Sequence, residues 1–155
     1  LDALLPSKRL ILFSTGTGIA PFLSVIRDPE TYEKFTQVIL THTCRFEDEL
    51  EYGKKIFDSI KSDTLLSEFV GDKLQLISTT TRESTSFMGR MTEWLLNEKF
   101  KSITGKDLNV STDRVMICGS LEMLQEHKEI CLQKGMIEGS NSAPGHFVIE
   151  KAFVD

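Results

Sequence analysis

The residues best suited to chemistry fall in three short clusters. The first is Thr15-Gly16-Thr17-Gly18-Ile19-Ala20-Pro21, directly after the apolar run Leu10-Ile11-Leu12-Phe13. Gly16 and Gly18 lack a Cβ and tolerate positive φ, so the backbone there can turn sharply and pass close to a ligand. Pro21 suits the first turn of a helix, where its missing N–H is not needed. A strand, a glycine turn and a helix N-terminus aim free N–H groups and a positive dipole end at an anion, typically a phosphate. Pro21 stands where the third glycine of a G-x-G-x-x-G fingerprint would fall, and an ordinary tight strand-to-helix connection is the alternative.

The second cluster is cationic. Arg45 follows a second apolar run, Gln37-Val38-Ile39-Leu40-Thr41, and its guanidinium can grip phosphate oxygens through a bidentate fork or pair with Glu47, Asp48 or Glu49. Dinucleotide folds often place an acid near this strand end for a ribose 2′-hydroxyl, but His42-Thr43-Cys44-Arg45 offers none, which favours NADP over NAD. Thr81, Arg82 and Arg90 flank a polar loop after a third apolar run and suit a dianionic 2′-phosphate; solvated arginines balanced by Glu83 and Glu93 are the alternative. Phe87 could stack on an adenine or cover the core.

The third cluster, Cys118-Gly119-Ser120, ends a further apolar run and reads by itself as a buried small side chain at a strand end. No His/Asp pairing motif accompanies Cys118, so nucleophilic catalysis is not implied. His42, His127 and His146 show no metal-ligand spacing, and no metal site is expected. His127 is expected to be solvated in mid-helix, with Glu122, Glu126, Lys128 and Glu129 on an exposed face.

The elements that must hold these clusters alternate. Strands are predicted at 9–14, 37–41, 73–79, 114–118 and 146–150. Helices are predicted at 21–27, 47–60, about 91–100 and 121–134, with a helical turn near 65–69. Asp28-Pro29 stops the first helix, because the residue before proline avoids the helical region. Leu50, Gly53, Ile56, Phe57 and Ile60 share one face of the second helix. Trp94, Leu95 and Phe100 form the apolar side of the third. Gly135 is a plausible cap for the last. Strand–helix alternation implies an α/β fold, doubly wound, with a mainly parallel five-stranded sheet and helices on both faces. Ligands in such sheets bind beyond the strands' carboxyl ends, so all three clusters are expected on one rim.

With 155 residues, 40% hydrophobic and 26% charged, the chain suits one globular domain. A net charge of −5 argues against a general nucleic-acid binder. No apolar run reaches the length of a membrane span and no signal peptide opens the sequence, so no membrane association is expected. Three widely spaced cysteines form no C-x-x-C pair and fit a cytoplasmic, reducing compartment.

Ser14-Thr15-Gly16-Thr17-Gly18-Ile19-Ala20-Pro21-Phe22, Cys118-Gly119 and Phe147-Val148-Ile149-Glu150-Lys151-Ala152-Phe153-Val154 closely resemble segments of the ferredoxin (flavodoxin)–NADP⁺ reductase family, bacterial branch. The resemblance spans the chain from Leu4-Leu5-Pro6 to the tail. It implies the NADP(H)-binding domain over 1–155, with a flavin-covering tail at 150–155. The family's N-terminal FAD-binding β-barrel, with its Arg-x-Tyr-Ser type motif, is not in this sequence. The implied cofactors are NADP(H) and FAD, the reaction is hydride transfer between NADPH and FAD, and the partner is ferredoxin or flavodoxin, with the chain a monomer that lacks full activity alone. By the same resemblance Thr15, Gly16, Thr17, Gly18, Ile19 and Pro21 belong to the cofactor-binding loop, in which Gly16, Thr17 and Gly18 hold the pyrophosphate together with Arg45. Thr81, Arg82 and Arg90 grip the 2′-phosphate, and Gly119 and Ser120 accompany Cys118 beside the nicotinamide. Glu150 is a proton-relay or nicotinamide-contact carboxylate, Ala152 stacks on the flavin, and Phe153 lies toward its adenine. Related flavin and oxygenase reductases share this half, and a catalytically silent nucleotide-binding module is the reading from another class.

Overall fold

The unbroken apolar run Leu10-Ile11-Leu12-Phe13 inside β1 (Arg9–Thr15) requires that both faces of this strand be covered, because successive side chains point to opposite sides of a sheet. The computed structural model describes residues 1–150 and bears this out. Leu10 and Leu12 join Phe22, Ile26, Ile60 and Val70 on one face, while Ile11 and Phe13 join Trp94, Phe100 and Leu124 on the other. The remaining strands are β2 (Gln37–Cys44), β3 (Leu74–Thr80), β4 (Asp113–Cys118) and β5 (Phe147–Ile149). They lie in the order β3-β2-β1-β4-β5 and every pairing is parallel, not merely most of them. Helices α1 (Ala20–Arg27), α2 (Pro29–Lys34), α3 (Glu51–Ser62) and α4 (Leu66–Val70) supply the first face. The second takes α5 (Met91–Leu96), α6 (Lys99–Thr104) and α7 (Leu121–Gln133). The chain builds outward from β1 to β3, then returns to place β4 on β1's other edge. The strand order therefore reverses between β1 and β4, and a crevice opens there.

Three elements depart from the sequence expectation. Asp28-Pro29 ends α1 and also starts α2: the Asp28 carboxylate accepts a hydrogen bond from the Glu30 N–H at 3.0 Å, and Pro29 occupies the first turn. The helix expected from 47 begins as a 3-10 turn at Glu47–Leu50 and becomes α-helical only at Glu51. The helix expected over 91–100 is two helices, separated by Glu98 at φ 66°. The break has a geometric cause. Six residues of continuous helix would put Phe100 about 240° around the axis from Trp94, yet both side chains are buried in the same core.

At the amino ends of the strands, β1 and β4 are clamped together. Arg9 donates from Nε and Nη2 to the two oxygens of Asp113, at 2.8 and 2.7 Å, with both side chains essentially without solvent exposure. Arg9 also donates to Thr104 Oγ1, while the Asn109 N–H and Thr112 Oγ1 donate to Asp113. Removing one partner leaves a buried, uncompensated charge. Asp113→Ala should therefore lower the unfolding free energy by about 3–5 kcal/mol. Urea denaturation measures this, and a loss under about 1 kcal/mol would show that the clamp behaves like a surface pair.

Candidate functional site

Because the sheet is wholly parallel, the four strand ends singled out in the sequence come to one rim. β1 and β2 end in register at Thr15 and Thr43, and β1 and β4 at Ser14 and Cys118. Beyond the last β2–β3 pair the ladder continues: Thr81 N–H donates to Cys44 O at 3.0 Å and Arg82 N–H to Arg45 O at 2.9 Å. Arg45 and Arg82 are thus neighbours on adjacent strand extensions. Between the strand ends, α5 and α7 lies a cleft of about 480 Å³. Thr15, Gly16, Thr17, Arg45, Thr81, Arg90 and Ser120 line it, together with Thr41, Thr43, Glu126 and His127.

The glycine turn is a 3-10 turn, Gly16–Ile19, running straight into α1. Gly16 sits at φ +53°, a conformation L side chains avoid. A Cβ on Gly18 would stand 2.5 Å from the Cys118 carbonyl oxygen, and one on Gly119 would collide with Thr15 Oγ1 and stand 2.9 Å from Met123 Sδ. The two turns therefore admit no side chain toward each other. Ser120 caps α7, accepting a hydrogen bond from Met123 N–H at 3.3 Å. Ile19 is buried in the α1-side core and Pro21 starts α1; neither lines the cleft.

The arginines stand at the mouth in exposed ion pairs. Arg45 pairs with Glu49 at 3.6 Å, and Arg90 spans to α7, meeting Glu126 at 3.5 Å and Glu122 at 3.9 Å. Solvent-exposed pairs of this kind contribute about 0–1 kcal/mol, so an incoming phosphate displaces them at little cost. Arg82 is exposed, does not line the cleft, and has no carboxylate within 4.0 Å among the described residues. Phe87 is exposed yet meets Trp94 edge-on at 5.8 Å, and its loop is tied down by Thr80 N–H to Phe87 O and Trp94 Nε1–H to Met88 O.

Cys118 is fully buried in the α1-side core; of Cys118-Gly119-Ser120 only Ser120 lines the cleft. Glu150 follows β5, its N–H donating to Ile117 O at 2.8 Å, which sets it beside the end of β4. The positions assigned to Ala152 and Phe153 lie outside the described residues.

Two histidines change the picture drawn from the sequence. His127 is not solvated: it is 4% exposed, packed against Phe13 with ring centroids 4.7 Å apart and the rings tilted by 44°, and lines the cleft. Its helical spacing from Met123, Leu124 and Ile130 places it on the apolar face of α7, a signal present in the sequence. Nδ1 faces Met123 O at 2.9 Å, and since a carbonyl only accepts, Nδ1 carries the proton. Nε2 is buried with no partner among the described residues, and burial pushes the pKa down to about 4. His42 is buried too, with Nε2 2.9 Å from the Gly16 carbonyl oxygen, and burial lowers its pKa as well. Thr43, in the cleft lining, shares a hydrogen bond with the buried Thr79, Oγ1 to Oγ1 at 2.7 Å.

Comparison with known proteins places this arrangement. Residues 12–129 match the family model described as oxidoreductase NAD-binding domain. The chain is 48% identical over 155 residues to a flavodoxin/ferredoxin–NADP reductase of Rhodobacter capsulatus, covering 99% of this chain and 57% of that protein. It is 42% identical to a ferredoxin–NADP reductase of Azotobacter vinelandii, covering 98% of this chain and 60% of the relative. The chain thus spans little more than half the length of these relatives. Among solved structures, a ferredoxin NADP⁺ reductase from Neisseria gonorrhoeae with bound FAD and NADP superposes with a TM-score of 0.81 at 27% identity, over 96% of this chain and 58% of that one. A Malassezia yamatoensis flavohemoglobin, 18% identical with a TM-score of 0.63, shares the fold.

His127 makes stability depend on pH. A histidine whose folded pKa is about 4, against an ordinary 6.5, resists protonation in the native state while the unfolded chain accepts the proton. The stability it contributes is present above pH 6.5 and is lost as pH falls toward 4. Between pH 7 and pH 5 this amounts to about 2 kcal/mol. Urea titrations of the parent protein and of His127→Gln at both pH values test this: the variant should lose distinctly less stability on acidification, and equal losses would reject the assignment.

Proposed function

We infer that this chain, which belongs to the oxidoreductase NAD-binding domain family, is the NADP(H)-binding part of a flavin-dependent ferredoxin or flavodoxin–NADP⁺ reductase. The observation that carries this reading is the meeting of an unobstructed glycine turn and displaceable arginines around one cleft. The residues present fit a phosphorylated dinucleotide. The first turn offers backbone N–H groups, no side chain at Gly16 or Gly18 and only the small Thr17 in the cleft, the volume lies in the range of ligand pockets, and the cations stand at the solvent boundary where phosphates can keep part of their hydration. The absence of an acid at the end of β2, where His42-Thr43-Cys44-Arg45 stands, favours a 2′-phosphorylated ribose over a free 2′-hydroxyl.

In this reading Gly16, Thr17, Gly18 and Arg45 hold the pyrophosphate. Thr81, Arg82 and Arg90 hold the 2′-phosphate, and Phe87 offers a face to the adenine. Gly119 gives the nicotinamide close access to the backbone above Cys118, while Ser120 fixes the start of α7. Glu150, on the same rim, holds or relays a proton next to the ring. When bound, the nicotinamide supplies a hydride and the flavin accepts it; the chain's own part is binding, orientation and exclusion of water. The flavin is assigned chiefly to a β-barrel domain of the full-length protein, with Ala152 and Phe153 completing its cover. Ferredoxin or flavodoxin is the electron partner, in the cytoplasm. No helix among the described residues is long and apolar enough to cross a membrane.

Arg82 separates this reading from a generic nucleotide module. A charge-assisted phosphate contact contributes about 1.5–3 kcal/mol, or about 10- to 100-fold in affinity. Arg82→Ala should weaken NADP⁺ binding by that factor and leave NAD⁺ binding within about twofold. Calorimetric titration of the parent and variant measures both, and an equal loss for the two nucleotides would remove Arg82 from the 2′-phosphate site.

A further inference from the structure

The glycine turn is permitted by Gly16 but not enforced by it, because glycine populates left- and right-handed conformations about equally. Beyond the backbone hydrogen bonds of the 3-10 turn itself, the side chain that holds the peptide after Gly16 is that of His42, at the end of β2. Its Nε2 lies 2.9 Å from the Gly16 carbonyl oxygen, and the side chain is 2% exposed. A carbonyl only accepts, so Nε2 carries the hydrogen and Nδ1 is the bare nitrogen. Nδ1 has no partner among the described residues and faces α3 at Gly53, where a Cβ would stand 3.0 Å away. Cys44 completes the setting: its Sγ is 3.3 Å from Nε2 and 3.7 Å from the Glu49 carbonyl oxygen, so the thiol donates to Glu49 and turns its sulfur toward the imidazole.

A trans peptide points its C=O and its N–H in opposite directions. His42 does not line the cleft, whereas Gly16 and Thr17 do. Pinning the Gly16 carbonyl onto His42 therefore turns the Thr17 N–H away from His42, toward the cleft. If this peptide flipped, a carbonyl oxygen would face the ligand where an N–H should. We propose that His42 is a positioning residue for the nucleotide: its Nε2–H holds the Gly16–Thr17 peptide in the anion-binding orientation for the ligand's pyrophosphate. The proposal rests on the NADP(H) reading of the cleft and adds to it a selective role. His42 serves the pyrophosphate and not the 2′-phosphate, which Thr81, Arg82 and Arg90 hold from other elements.

That division supplies the test. Wild-type, His42→Leu and His42→Gln forms of the full-length protein are titrated with NADP⁺ and with adenosine 2′-monophosphate, which carries the 2′-phosphate but no pyrophosphate. The leucine variant should bind NADP⁺ about tenfold more weakly and adenosine 2′-monophosphate within about twofold of wild type. The glutamine variant, whose amide N–H replaces the imidazole donor, should recover most of the NADP⁺ affinity. Unchanged NADP⁺ binding by the leucine variant, or an equal loss of both ligands, overturns the proposal. Should the leucine variant fail to fold, the wild-type protein still decides: ¹⁵N chemical shifts of His42 must show the Nε2–H tautomer, and an Nδ1–H tautomer overturns the assignment. A wild-type protein that binds neither ligand contradicts the NADP(H) reading itself, and with it the basis of the proposal.

Discussion

The contact between the turn after β1 and the turn after β4 governs the rest of this structure. The two strands are neighbours in the sheet, yet the chain leaves β1 toward one face and β4 toward the other. Their first turns must therefore pass each other at backbone distance. Gly18 faces the Cys118 carbonyl and Gly119 faces Thr15, each without the Cβ that would force them apart. This close approach brings the starts of α1 and α7 to opposite sides of a single crevice. A binding crevice at this point follows from chain direction and strand order, not from any one side chain.

The same strand pair is held at its other end by quite different chemistry. Arg9 and Asp113 are directly opposed in the β1–β4 register, and their bidentate pair is buried against Phe100. A buried ion pair carries a desolvation cost that often cancels its Coulomb energy. Its value here is positional. A one-residue slip would separate the guanidinium from its carboxylate inside the core and would also move Gly18 off the Cys118 carbonyl. The lower end of the sheet thereby fixes the register that the upper end needs.

Much of this was legible in the sequence, and the limits have physical causes. The glycine turn, the strand ends and the alternation of elements depend on neighbours within a few positions, so periodicity and turn chemistry reveal them. The break between α5 and α6 was hidden, because Met91 to Phe100 carries good helix formers, and only the need to bury both Trp94 and Phe100 on one side demands Glu98 at positive φ. The burial of His127 was readable from its spacing to Met123 and Ile130, and the polar look of its neighbours Glu126 and Lys128 concealed it. Arg9 with Asp113, and His42 with Gly16, were not readable at all. Their partners are 104 and 26 positions apart, and nothing local marks either pair.

The distribution of charge across the cleft follows one rule. The ion pairs stand at the mouth: Arg45 with Glu49, and Arg90 with Glu122 and Glu126. The groups deeper in are neutral hydrogen-bonding side chains: Thr43, paired with Thr79, and His127, whose pKa burial lowers to about 4; His42, outside the lining, is likewise lowered by burial. A chain with net charge −5 needs concentrated local positive charge to attract an anion, and arginines at the mouth supply it without the cost of burying a guanidinium. The glutamates hold those arginines in water-exposed pairs that phosphate oxygens can replace. The interior then has only shape and hydrogen bonds to offer, which suits a ligand whose charged groups stay near solvent while its less polar ring goes inward. Charge thus governs approach and grip at the rim, and neutral geometry governs placement within.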